Sequence, residues 1–173
     1  MKRVLSIIAV LTLVTVFFSG CSETADTASG SADGSDISTV SVDESGYEDS
    51  FDGFVQYMTD GGYIKGNGVE LTASVIGAAQ GKRYTVSSGM GKYSVELYEY
   101  EDQTSEAASK TIANAKNSGT FNLFETTESS TENTVAAVTD DGRFLMLFTE
   151  SSSNDSTAAA KEAAVEAVKA FGK

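Results

Sequence analysis

"KRYTVSSGMGKYSVELYEY", residues 82–100, sets two β-branched and aromatic runs on either side of a short Gly-bearing connection. Runs of that composition read as strands, and the connection between them reads as a hairpin turn of moderate length. Side chains alternate along a strand, so Tyr93, Val95 and Leu97 share one face while Ser94, Glu96, Tyr98 and Tyr100 share the other. The first set is the more apolar and is expected to face a core. An antiparallel hairpin is therefore the seed around which the rest of the chain must pack.

Upstream, "YEDSFDGFVQYMTDGG" places Phe51, Phe54, Val55 and Met58 at the i, i+3, i+4, i+7 spacing of one helix face, and Gly61 and Gly62 end the helix. The connection "GYIKGNGVELTASVIGAAQG" is punctuated by glycine, with a short helical turn expected through Ala73 to Ala78. Its glycines do not have phosphate-loop spacing, and no Lys-Ser or Lys-Thr pair follows them.

Downstream, "TSEAASKTIANAKNSG" reads as a second helix, capped by Thr104 or Ser105, lined by Ala108, Ile112 and Ala115, and ended by Gly119. "TFNLFETT", "TVAAVT" and "RFLMLFTE" read as three further strands, with Asp140, Asp141 and Gly142 as the turn between the last two. "FLMLF" is apolar on both faces, which suits a central strand. "STAAAKEAAVEAVKAF" is a strong helix, with Ala160, Ala164, Val168 and Phe171 on one stripe and Lys161, Glu162, Glu166 and Lys169 outside it. The order α-β-β-α-β-β-β-α predicts an α+β domain over residues 46–173, a mainly antiparallel sheet of about five strands with helices packed on one face.

Composition narrows the chemistry. The 173 residues contain no His, Pro or Trp and one Cys, so no internal disulfide forms and the domain must be held by its core. Without His, the chain lacks the commonest metal ligand and the commonest general base. Zinc sites and hydrolytic triads would need unusual substitutes, and neither a metal nor a cofactor is expected.

The N-terminus reads as a targeting signal. Lys2 and Arg3 precede the unbroken apolar run "VLSIIAVLTLVTVFF", 15 residues long, and the small Ser19 and Gly20 follow it. A spanning helix normally needs about 20 apolar residues, and no basic stop-transfer cluster follows, so a plain signal anchor is disfavoured. "FSGC", residues 18–21, resembles the lipobox of bacterial lipoproteins, with Phe18 where that family usually has Leu, Val or Ile. The resemblance implies a signal peptide over residues 1–20, cleavage between Gly20 and Cys21, and a diacylglyceryl group on the Cys21 thiol. The partner it implies is the lipid bilayer, and the address is the extracytoplasmic face of the cell membrane. A catalytic thiolate at Cys21 would need an activating neighbour, and none is nearby. A structural thiol would need a core to enter, and the tract that follows offers none.

From Cys21 to Ser45 the chain is mostly Ser, Thr, Ala, Gly and Asp, expected to be a disordered acidic linker. As a coil it would span roughly 25 to 30 Å. "DGSD" within it lacks the spacing and terminal Glu of a calcium loop.

Removal of the signal leaves 10 basic against 25 acidic residues, a net of −15. Nucleic acid and anionic lipid surfaces would both be repelled. Lys82, Arg83 and Lys92 lie on the one hairpin, either as a small anion or polymer contact or, more simply, as charges guarding a sheet edge. Glu96, Tyr98 and Tyr100 form the other candidate binding face, since tyrosines beside a carboxylate stack on and hydrogen-bond sugars and peptides. The plainer reading of these tyrosines is packing with Tyr84 across the sheet. Two carboxylates can serve glycoside hydrolysis, but 25 acidic residues single out no pair.

"VIGAAQGKRYTV" and "VELYEYE" loosely resemble stretches of small lipoproteins of anaerobic Gram-positive bacteria, a likeness that brings no activity with it. The expected function is that of a tethered, non-enzymatic lipoprotein binding a protein or cell-envelope component. Capture of a small solute or sugar is the alternative, and a carboxylate-dependent hydrolase comes third.

Overall fold

A computed structural model describes residues 40–88, 91–121, 133–152 and 154–173. The expected signal, Gly20, Cys21 and the linker up to residue 39 lie outside the described residues. The described helices are α1 (Phe51–Asp60), α2 (Glu106–Ser118) and α3 (Asp155–Ala170). The described strands are β1 (Val69–Glu70), β2 (Gln80–Ser88), β3 (Gly91–Glu99), β4 (Thr134–Val138) and β5 (Phe144–Ser152). They form one antiparallel sheet in the order β1-β2-β3-β5-β4. The molecule thus has the α+β class expected of its sequence, a five-stranded antiparallel sheet with helices packed on it.

Each helix starts where a side chain satisfies a free backbone donor. Ser50 accepts from the Gly53 N–H at α1, Ser105 from Ala108 at α2, and Asn154 from Thr157 at α3. At α3 the Thr157 hydroxyl completes a reciprocal box by accepting from the Asn154 N–H. α2 ends at Gly119, whose φ of 63° is the left-handed conformation that glycine adopts without a Cβ penalty.

The β2–β3 hairpin keeps a continuous register from Gln80↔Glu99 to Ser88↔Gly91. Tyr93, Val95 and Leu97 face a core shared with α1 and α3, where Phe54 stacks on Phe144 at 5.0 Å and Tyr93 on Phe148 at 4.5 Å. β5 lies inside the sheet, between β3 and β4, as its two apolar faces require. Phe144, Met146 and Phe148 enter the first core, while Leu145 and Leu147 enter a second one.

That second core is the main addition to the fold read from sequence. α1 and α3 take one face of the sheet; the opposite face, left bare in the sequence reading, carries α2 and a 3-10 turn, Ala73–Ile76. Leu145, Leu147, Tyr98 and Tyr100 are too much apolar surface to leave in water, at roughly 25 cal/mol per Å². Tyr84 packs in the first core, so it is not the cross-strand partner of Tyr98 and Tyr100.

The strand inventory differs in one place. The fifth strand is β1, two residues inside the Gly-punctuated connection, held to β2 by the pairs Val69↔Arg83 and Glu70↔Lys82. The strand expected over residues 120–127 falls mainly outside the described residues. Contacts with the domain also begin before residue 46: the Val40 N–H donates to the Gly61 carbonyl at 3.3 Å and Val42 packs against the first core.

Candidate functional site

The register of the hairpin brings three of the expected residues together. Arg83 on β2 stands opposite Glu96 on β3, both on the second face of the sheet, and Tyr98 follows two residues along. Tyr98 lies opposite Gly81. A Cβ at Gly81 would come within 2.5 Å of the Tyr98 ring, so glycine there is what lets the ring lie across β2.

The polar geometry is tight. The Arg83 guanidinium gives Nε and Nη2 to the same oxygen, Glu96 Oε1, at 2.8 and 2.6 Å. The Tyr98 hydroxyl donates to the other oxygen, Oε2, at 2.5 Å. Burial, then the hydrogen bond to Glu96 and its negative charge, push the Tyr98 phenol far above its ordinary pKa. Glu96 therefore has both oxygens engaged, and Tyr98 stays a donor.

Above this floor the face is only partly covered, leaving a cleft of about 360 Å³. Leu71, Val75, Ile76 and Phe121 make its apolar walls, with Thr72 on the rim. Val75 is 59% exposed, one of few large apolar side chains so placed. Two larger hollows, beside β4 and beneath residues 40–44, hold none of the expected binding residues.

The remaining candidates lie elsewhere. Tyr100 is buried under α2 in the second core and presents no ring to a ligand. Lys82, one position from Arg83, points to the opposite face, 4.0 Å from Asp52 and over the Phe51 ring. Lys92 is exposed at the far end of β3, about 13 Å from Glu96 at strand rise. The three cations of the hairpin are thus separated by the two-residue period and by distance, and they make no single anion patch.

The walls were missed in the sequence reading because they come from three separate stretches: β1 and its exit, the 3-10 turn, and the segment after α2. A second polar cluster was missed as well. Glu99 continues the core-facing series of Tyr93, Val95 and Leu97, and an acid at that position was the available signal. It is buried, with Arg143 on Oε1 at 2.8 Å and Gln80 on Oε2 at 2.6 Å. Arg143 also donates to the Asp49 carbonyl at 3.0 Å, pinning the segment that leads into α1. Its two carboxylate and carbonyl contacts mark it as a structural clasp.

Among the described residues no group of three or more Asp, Glu, Cys or His is placed to hold a metal ion, and no helix is long and apolar enough to cross a membrane. Comparison with protein-family models, with curated proteins and with solved structures finds no match to the chain.

Proposed function

We propose that the protein is a lipid-anchored binding module on the extracytoplasmic face of the cell membrane. In this reading the chain is cut after Gly20, Cys21 carries the diacylglyceryl anchor, and the polar tract that follows spaces the domain from the bilayer. Two acyl chains make a lasting anchor where one gives only marginal attachment, on the order of 10⁴ M⁻¹. A mature chain of net charge −15 gains nothing from anionic headgroups, so a covalent anchor suits it.

The observation that carries the binding reading is the floor of the cleft. Glu96 has one oxygen on Arg83 and the other on Tyr98, and the Tyr98 phenol is held in its protonated form. The Tyr98 phenol therefore offers no ready phenolate as base or nucleophile, and the Glu96 carboxylate is held in an ion pair with Arg83. The apolar walls, by contrast, offer area that a partner can cover. The partner in this reading is a protein or a cell-envelope component.

Photo-crosslinking on intact cells tests the proposal. A crosslinking residue placed at Val75 should capture a discrete partner, and one placed at Glu162, exposed on α3, should not. Equal capture at both positions, or none at Val75, would overturn it.

A further inference from the structure

We infer that the cleft between β1, the 3-10 turn and β3 takes the free C-terminal carboxylate of a peptide that ends in an apolar side chain. The inference rests on the binding-module reading and adds the chemistry of what is bound.

Its basis is the balance of spent and unspent polar groups. A guanidinium has five N–H donors in a planar fork. Arg83 uses Nε and Nη2 on one oxygen of Glu96, and its Nη1 makes no hydrogen bond among the described residues. The Arg83 side chain is 52% exposed and lines the cleft. Both oxygens of Glu96 are already engaged, Oε1 by Arg83 and Oε2 by Tyr98, and the Tyr98 hydrogen is committed to it. Thr72, on the rim, makes no capping hydrogen bond, so its hydroxyl is a second open group. The open charged group of the cleft is the Arg83 fork, which only donates, so the ligand that matches it brings acceptors. A carboxylate satisfies an arginine best, because both partners are charged and the fork fits two oxygens.

The walls specify the rest of the ligand. Leu71, Val75, Ile76 and Phe121 surround the polar floor with aliphatic and aromatic surface. An apolar side chain packed there lies close to the carboxylate on the same residue, which is the arrangement at the end of a peptide. The cleft volume of about 360 Å³ is at the small end of ligand pockets, enough for a terminal residue and part of its neighbour. The charge of the mature chain, −15, selects further: a polyanion is repelled, whereas a peptide with one carboxylate and a free amino end is neutral overall.

Isothermal titration of the full-length lipidated protein in nanodiscs, with the tripeptide Ala-Val-Leu as free acid and as C-terminal amide, decides the matter. The acid should bind saturably and the amide at least about tenfold more weakly, the size expected when a charge-assisted hydrogen bond is lost. Arg83→Gln should lower affinity for the acid to that for the amide and leave the amide unchanged. Val75→Glu should weaken both. Both side chains are largely exposed, and circular dichroism of the variants checks that the fold is kept. Equal binding of acid and amide, acid binding indifferent to Arg83→Gln, or no binding of the acid would each overturn the inference. Capture of a partner at Val75 together with any of these results would leave the binding module standing and remove only the carboxylate.

Discussion

Two buried tyrosines show how far one oxygen atom matters in this molecule. The Tyr93 hydroxyl donates to the Tyr63 carbonyl at 3.2 Å, whereas the Tyr100 hydroxyl is buried with only the Thr111 side chain near it and makes no well-formed hydrogen bond among the described residues. Tyr93→Phe should cost about 1 kcal/mol in urea denaturation at pH 7, and Tyr100→Phe should cost clearly less, because its hydroxyl makes no well-formed hydrogen bond to lose. Burial pushes the Tyr93 phenol up to about 12 from an ordinary 10.0. A raised phenol keeps its proton in the folded state while the unfolded chain loses it. Its stabilising contribution is therefore complete below pH 10 and lost as pH rises towards 12. Wild type should lose stability over that window more steeply than Tyr93→Phe, and parallel curves for the two would sink the assignment. Glu99 makes a sharper case. Arg143→Ala strips the ion partner from a buried carboxylate and should cost on the order of 3 kcal/mol. Glu99→Gln, which keeps an oxygen for Arg143 and removes the charge, should cost clearly less.

At the scale of elements, the placement of the 3-10 turn decides whether the cleft exists. Gly77 ends that turn with φ of 77°, and a Cβ there would sit 2.7 Å from the Ala108 N and 2.8 Å from the Ser105 Oγ, at the start of α2. Gly66 has a similar φ of 74° but open space around it. Gly66→Ala should cost about 1 kcal/mol from backbone conformation alone, and Gly77→Ala at least about 2 kcal/mol because the turn must also leave α2. Equal losses in urea denaturation would show that the turn is not wedged against the helix. The helices themselves were readable in the sequence, since their apolar stripes, the cap Ser105 and the terminating Gly119 are local signals. β1 was not readable. A two-residue strand has too few positions to show alternation, and it forms because β2 offers an edge at Lys82 and Arg83.

At the scale of the whole molecule, the proposed tether and the domain separate address from binding. Cys21→Ala should release the protein from the membrane fraction or leave its signal uncut, and unchanged processing and anchoring would count against lipidation. The domain's own division of labour follows from one strand. β5 carries Phe and Met to one side and Leu to the other, so each face of the sheet acquires a core and the hairpin's second face becomes half buried, half cleft. Periodicity and capping are properties of neighbours in the chain, and for that reason the sequence by itself determined the class, the helices, the hairpin and the faces of its residues. Which of the expected residues meet depended on what packs over those faces. Arg83, Glu96 and Tyr98 came together, Tyr100 was buried and Lys82 turned away. Only the tertiary structure decided this, because the walls of the cleft are drawn from segments some 50 residues apart, Leu71 to Phe121, that no local pattern relates.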